Sequence, residues 1–327
     1  MKAILINEDK SLSWTSVEDP ILKPGNVIVE IHAAALNRAD LLQRNGNYPS
    51  PEGWPSWMGL ELAGVIIEMS EEAKANSEFK VGDEVCALVG GGAYAEAISV
   101  PYELILPIPK GLSMIEAATI PEAFMTTYLN VFEEGHLQKG QTVYISAGGS
   151  GLATMTIPML KVFGAKVITS VRSRYKADLI KDLGADYIIV EEEENVPDVF
   201  KRLALEGNPV NVCMDCVGGP NLGKAMKYMA KGGYWIVISS LAGNVTEIDL
   251  KSLLSNGLHL VGSLLRIRSN EYKHQIMTKL RNEFWKYFED GTFKPLIYKV
   301  FDIKDAEAAQ EILIKNQNIG KVVLKVK

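Results

Sequence analysis

Residues 1 to about 110 carry short apolar, β-branched runs, of which VIVEIHAAA, LAGVIIEM, DEVCALV and AEAISVP are the clearest. Turns such as VGDE at 81–84 and GGG at 90–92 separate them, so this stretch is predicted to be all-β. From residue 140 the pattern changes. Apolar strands TVYISA, KVITSV, YIIV, VNVCMDCV, YWIVISS and LHLVGS now alternate with helical stretches at 151–163, YKADLIKDLGA and NLGKAMKYMAKGG. Strands interleaved with helices of this length predict parallel βαβ units with helices on both sheet faces. After about residue 265 an amphipathic segment, NEYKHQIMTKLRNEFWKYFEDG, leads into a strand, a helix and a strand within KVFDIKDAEAAQEILIKNQNIGKVVLKV. A chain of 327 residues fits two domains, each able to bury its own core.

Composition narrows the possible partners. No apolar run approaches the roughly 20 residues that cross a bilayer. The N-terminus MKAILINEDK lacks a secretory or transit pattern, so the expected compartment is the cytoplasm and no membrane partner is expected. The net charge of −6, without a Lys/Arg cluster, argues against nucleic acid and for a small-molecule partner. The acidic run at 191–194 reads as a solvated loop. Three cysteines fit a reducing compartment. Cys213 and Cys216 have CxxC spacing, but within an apparent strand they would point to opposite faces, which predicts two buried thiols.

The stretch TVYISAGGSGLATMTIPMLKVFGAKVITSVRS at 142–173 carries the most chemistry. Its first strand ends at Ala147 and a helix is expected from near Gly151, so Gly148, Gly149, Ser150 and Gly151 occupy the turn between them. Backbone N–H groups at a helix start, brought close by glycine, bind phosphate. The G-x-G-x-x-G/A fingerprint is matched only in part, by Gly149 and Gly151 in one register or Gly148 and Ala153 in another. A tight turn without a ligand is the plainer alternative, yet four small residues exceed what turning a chain needs. Pro158 inside the helix predicts a kink. After the second strand come Arg172, Ser173, Arg174 and Lys176 with no acid, which favours NADPH over NADH because a 2′-phosphate needs cationic and hydroxyl partners.

With these residues in view, the whole chain resembles the zinc-free quinone oxidoreductase branch of the medium-chain dehydrogenase/reductase superfamily, most nearly its tumour-suppressor-inducible subgroup. The resemblance rests on ALNRADLLQRNGNYPSPEGWP at 35–55, GLELAG at 59–64, VGDEVCALVGGGAYAEAISVP at 81–101, IPEAFMTTY at 120–128, GSLLRIRSNEY at 262–272 and the late NIGKVVL. It implies an α/β protein with a GroES-like, partly open β-barrel catalytic domain from residues 1–119 and 265–327. A Rossmann doubly wound parallel-sheet domain, residues 120–264, would bind NADPH.

The same resemblance implies that Tyr48 and Asn37 line the catalytic cleft. It assigns cofactor contacts to Thr127, to Gly148, Gly149, Ser150, Gly151 and Leu152, to Arg172, Ser173 and Lys176, to Cys216, Val217 and Gly218, and to Ser263, Leu264 and Leu265. It departs from the family pattern at Ala153 and at Glu191, where many relatives carry Tyr. Asn37 and Leu60 stand where zinc-dependent relatives carry Cys and His, so no zinc is expected; the resemblance also implies no flavin. The expected activity is NADPH-dependent hydride transfer to a quinone or conjugated carbonyl, with Tyr48 and Asn37 as hydrogen-bond donors. A 2-enoyl-thioester reductase and a non-catalytic NADPH-binding protein are the alternatives. A homodimer is expected through the late strands YWIVISS and LHLVGS, whose apolar character suits a poor solvent-facing edge.

Overall fold

A computed structural model describes all residues, Met1–Lys327. The chain forms two compact units, Met1–Met125 with Arg266–Lys327, and Thr126–Leu265. It passes between them inside a helix, Pro121–Thr127.

The first unit is built on a seven-stranded sheet. Its hub is the ten-residue strand Asn26–Ala35, most of it buried. One edge of that strand is shared: Asn26–Glu30 pairs with Ala97–Pro101, while Ala33–Ala35 pairs with the late strand Lys321–Lys325. The other edge takes Glu61–Met69, with register shifts after Ile28 and Ile31. Bulges of this kind sharpen twist and let a sheet curl towards closure. Both ends of the chain therefore meet on one strand, over a core that includes Val27, Val29, Ile31, Leu62, Val85, Val322 and Leu324.

The expectation of an all-β start needs correcting, because a helix, α1 (Arg38–Arg44), follows the hub strand, and Glu71–Asn76 is also helical. Asn37 is extended and ends the strand run; the Asp40 carboxylate then accepts the Asn37 N–H at 2.7 Å, which starts the helix. A hairpin of Lys2–Ile6 with Leu12–Ser16 also went unforeseen.

The second unit holds six strands: β1 (Thr142–Ile145), β2 (Lys166–Val171), β3 (Tyr187–Val190), β4 (Val212–Asp215), β5 (Tyr234–Val237) and β6 (His259–Gly262). They lie in the order β3-β2-β1-β4-β5-β6 with every pair parallel, the order of a dinucleotide-binding Rossmann sheet. Alternation along the strands splits the core in two. Val143, Ile145, Val167, Met214 and Ile236 pack with Ala153, Ile157 and Leu160 of helix α2 (Ala153–Phe163). Tyr144, Ile168, Cys213 and Trp235 pack with Phe200 on the opposite side.

Pro158 lies inside the helix α2, Ala153–Phe163. Several details differ from expectation. Between β3 and β4 the helix Val196–Leu205, begun by Asn195 accepting the Asp198 N–H, supplies the crossover that parallel strands require. Cys213 is buried, but β4 ends at Asp215, so Cys216 lies beyond it and is only half-buried. Of the two late apolar strands, β5 is internal and only β6 is an edge. No helix is long and apolar enough to cross a membrane.

Candidate active site

Because all six strands of the second unit run the same way, the segments that follow β1, β2, β4 and β6 open at one sheet edge. After β1, Ala147 takes a left-handed φ of 55° and the Gly148 N–H donates to Ser170 O at 2.7 Å, which presses the turn onto β2. A Cβ on Gly148 would come within 2.4 Å of Thr169 Oγ1, a hydroxyl already donated to Ile145 O. Only glycine lets this turn lie so low. Ser150 Oγ accepts the Ala153 N–H at 3.1 Å, whereas the N–H groups of Gly149, Gly151 and Leu152, at the start of α2, have no protein acceptor. A helix start with open donors is an anion cradle.

At the tip of β2, Arg172 is exposed and Ser173 caps the helix Arg174–Ile180, accepting the Lys176 N–H at 3.4 Å. The acidic run 191–194 forms an exposed turn, as expected, with two of its carboxylates paired. Glu193 pairs with Arg174, and Glu194 accepts from the Tyr187 hydroxyl at 2.6 Å and from Arg202 at 3.4 Å. Glu191 remains exposed, its N–H bonded to Val171 O at 2.9 Å. Half of the run's charge is thus matched by arginine.

After β4 the buried Asp215 carboxylate accepts the N–H groups of Val217 and Gly218 at 2.8 and 3.1 Å, and the Trp235 indole N–H at 3.0 Å. This shapes the Cys216–Gly218 turn, where Gly218 has a φ of +64° that favours glycine. The Cys216 N–H donates to Ser146 Oγ at 2.9 Å and ties the turns after β1 and β4 together. After β6, Ser263 donates its N–H to Val237 O, while its buried Oγ has no partner. Leu265 is buried and Leu264 half exposed. Thr127 is fully buried, its hydroxyl 2.6 Å from that of Thr156 on α2. Open amides, an exposed guanidinium and an orphaned hydroxyl around one edge suit a dinucleotide.

The first unit carries a separate polar cluster. Tyr48 is half-buried, and the Arg266 guanidinium lies 4.4 Å from its ring centroid while donating to Tyr48 O at 3.0 Å. Arg266 also donates to Gly90 O at 2.8 and 2.5 Å and to Gln43 Oε1 at 3.1 Å. Its own carbonyl accepts from the buried Lys273 ammonium at 3.0 Å. Burial pushes the Tyr48 phenol up and Glu122 adds to that, while Arg266 opposes both. Burial also lifts the Glu122 carboxyl to about 7, with repulsion from Glu61.

Asn37 is committed within this unit. Its Nδ2 donates to Glu61 Oε1 at 2.9 Å and its Oδ1 accepts from Lys321 Nζ at 2.8 Å, while Lys321 also reaches Glu61. Beneath it, buried Asp40 accepts from Asn37 N, Tyr94 Oη and Gly59 N, and burial raises its carboxyl to about 6. Leu60 is buried and apolar. No three His, Cys, Asp or Glu side chains gather to hold a metal.

The sequence points to Tyr48 and Asn37 but not to Arg266, Glu61, Lys321 or Asp40. The available signals were charged residues inside otherwise apolar runs, as in GLELAG and NIGKVVL. Their partners lie as many as 284 residues away, so spacing alone could not pair them.

Comparison with known proteins agrees with this architecture. Residues 23–110 match the alcohol dehydrogenase GroES-like domain family and residues 151–281 the zinc-binding dehydrogenase family. The quinone oxidoreductase-like protein 2 homolog of Nematostella vectensis is 30% identical over 310 residues, covering 94% of this chain and 83% of that protein. Acryloyl-coenzyme A reductase of Sulfurisphaera tokodaii is 27% identical, over 99% of this chain and all of that one. The quinone oxidoreductase of Thermus thermophilus, solved alone and with NADPH, superposes with a TM-score of 0.82 at 26% identity over the full length of both chains. The chain belongs to the medium-chain dehydrogenase/reductase superfamily of oxidoreductases.

Proposed function

We propose that this protein reduces quinones or conjugated carbonyls with NADPH, the second unit holding the nucleotide and Tyr48 of the first unit supplying a proton. The observation that carries this reading is the half-buried Tyr48 phenol set against the Arg266 guanidinium, a proton donor beside a fixed cation. NADPH, when bound, supplies a hydride. The N–H groups of Gly149, Gly151 and Leu152 would hold its phosphates, Arg172, Ser173 and Lys176 its 2′-phosphate, and the Cys216–Gly218 and Ser263–Leu265 segments the rest of the molecule.

The chain's own task is protonation. A phenol donates a hydrogen bond to the acceptor oxygen and strengthens it as negative charge develops there. Tyr48 O–H then breaks, the proton passes to that oxygen, and the phenolate is reprotonated from water. Asn37 takes a different part from the one its residue type suggests: with its amide already bonded to Glu61 and Lys321, it shapes the floor of the cluster. A zinc ion is not part of the proposal. The Lys321 ammonium already neutralises Glu61, and Leu60 offers no ligand atom.

Reduction of a 2-enoyl thioester is the second reading, favoured by the full-length similarity to acryloyl-coenzyme A reductase. NADPH oxidation by the purified protein, followed with ortho-quinones, para-quinones, enones and an enoyl thioester, separates the two. Turnover of the thioester alone would replace the first reading, and no turnover with any acceptor would leave a nucleotide-binding protein. We further propose a homodimer that pairs β6 with its counterpart. Leu260 is 43% exposed on that edge, and Val245, Leu250 and Leu254 of the same unit are exposed as well.

A further inference from the structure

We infer that Arg266 is the positioning residue for Tyr48, clamping the loop that carries it and holding a fixed cation against the phenol that gives up its proton. This rests on the reading of Tyr48 as proton donor. Arg266 opens the segment that re-enters the first unit, 218 residues beyond Tyr48. Its guanidinium spends its donors on three places at once: Gly90 O, Tyr48 O and Gln43 Oε1, with Ser50 Oγ at the 3.5 Å limit. Gln43 belongs to α1, the helix that starts at Asn37 and Asp40. Gly90 follows the strand Glu84–Leu88. One planar fork therefore joins a helix, a sheet loop and the Tyr48 loop, a geometry that Lys cannot copy.

The same guanidinium faces the Tyr48 ring at 4.4 Å, within the range of a cation–π contact. That contact strengthens once the phenol has lost its proton, because the ring and its oxygen then carry a full negative charge. The charged groups that act most on the pair are Glu122, Asp40 and Lys273. Glu122 opposes ionisation of Tyr48, Asp40 and Glu122 support the guanidinium charge, and Lys273 is fastened to the Arg266 carbonyl. Arg266 is the cation that acts on the phenol, and its partial burial keeps water from screening it. In the protonation step the Tyr48 O–H bond breaks, the proton moves to the acceptor oxygen, and the phenolate stands beside Arg266 until water reprotonates it.

A double-mutant cycle tests this. Reduction of 1,4-naphthoquinone by NADPH is measured for the wild type, Tyr48→Phe, Arg266→Met and the double variant, together with NADPH affinity by fluorescence. Arg266→Met is expected to lower kcat about tenfold, to raise the solvent deuterium isotope effect on kcat, and to leave NADPH affinity within twofold. In the Tyr48→Phe background the same substitution is expected to change kcat less than twofold. A further tenfold loss there, with Tyr48→Phe itself slow, overturns the inference and leaves Tyr48 as donor. A Tyr48→Phe enzyme as fast as the wild type overturns the donor reading and the inference with it. Should Arg266→Met fail to fold, Arg266→Lys runs the same cycle, keeping the charge while losing the three-way clamp. It is then expected to lose kcat in the wild-type background only.

Discussion

Lys321 Nζ lies 2.5 Å from Glu61 Oε1, and the Asn37 amide bridges the two. Glu61 and Lys321 head strands on either side of the hub strand, and Asn37 follows its end, so the ring fixes three chain segments where the early and late parts of the chain pair. The pair is almost wholly buried, at 3% and 0% side-chain exposure. Removing one partner leaves the other charged and unpaired. Lys321→Met should destabilise the protein by about 3–5 kcal/mol, and the double change Glu61→Gln with Lys321→Met should recover much of the loss. Urea unfolding checks both. Equal loss in the single and double variants would show that packing, not charge pairing, makes Lys321 matter.

Arg172 should set the nucleotide preference. It is exposed and unpaired at the tip of β2, whereas its neighbour Arg174 is held by Glu193. Arg172→Ala is expected to weaken NADPH about tenfold while leaving NADH unchanged, since a charge-assisted bond to phosphate contributes about 1.5–3 kcal/mol. Titration of both nucleotides reads this directly. Equal losses for the two would place Arg172 on a part of the molecule they share.

Glu122 should leave a signature in stability against pH. Its carboxyl is raised from 4.5 to about 7, burial being the main cause. A carboxyl raised in the folded state holds its proton more tightly there than in the unfolded chain. Its effect is therefore harmless below about pH 4.5, and stability is lost as pH rises from there to about 7. Glu122→Gln should be about 1–2 kcal/mol more stable relative to wild type at pH 8 than at pH 4, after allowance for solvent screening. Urea midpoints at those two pH values decide it. Parallel pH profiles would show that Glu122 ionises as it does in the unfolded chain.

The dimer prediction turns on which amides of β6 point outward. His259 and Ser263 donate their N–H groups into the sheet, to Gly233 O and Val237 O, so Val261 shares their side by alternation. Leu260 and Gly262 face the open edge. Leu260→Pro should abolish association while sparing the β5–β6 ladder, whereas Val261→Pro should also weaken the fold. Sedimentation at micromolar concentration is the check. A wild-type monomer, or a Leu260→Pro dimer, would place the contact elsewhere or remove it.

The fold was more legible in the sequence than the site. Strands such as Lys166–Val171 are short, β-branched runs, and their alternation with helices announces a parallel sheet before any contact is known. The glycine turn after β1 was legible for the same reason, since strand, small residues and helix are neighbours in the chain. Two short helices escaped because ALNRADLLQR reads as a loop until Asp40 is seen to cap Asn37. Cys216 was misjudged because the apolar run continues past the residue at which β4 ends. Arg266 and Lys321 were invisible for a deeper reason. Each gains its meaning from partners more than 150 residues away, and a single charged residue near a strand end looks the same whether it faces water or a buried carboxylate.

The central claim is that the chain transfers hydride from NADPH to a carbonyl-conjugated acceptor and protonates it from Tyr48. The most direct test is a single turnover with NADPH deuterated at C4, mixed with an enone or quinone that supports turnover, in the wild type and Tyr48→Phe. The wild type should oxidise NADPH with a primary isotope effect of about 2 or more, and deuterium should appear on the β-carbon of the enone product. Tyr48→Phe should slow the same step about a hundredfold with nucleotide affinity unchanged. No deuterium on the β-carbon of an enone that is turned over, or a Tyr48→Phe rate equal to that of the wild type, would contradict the account.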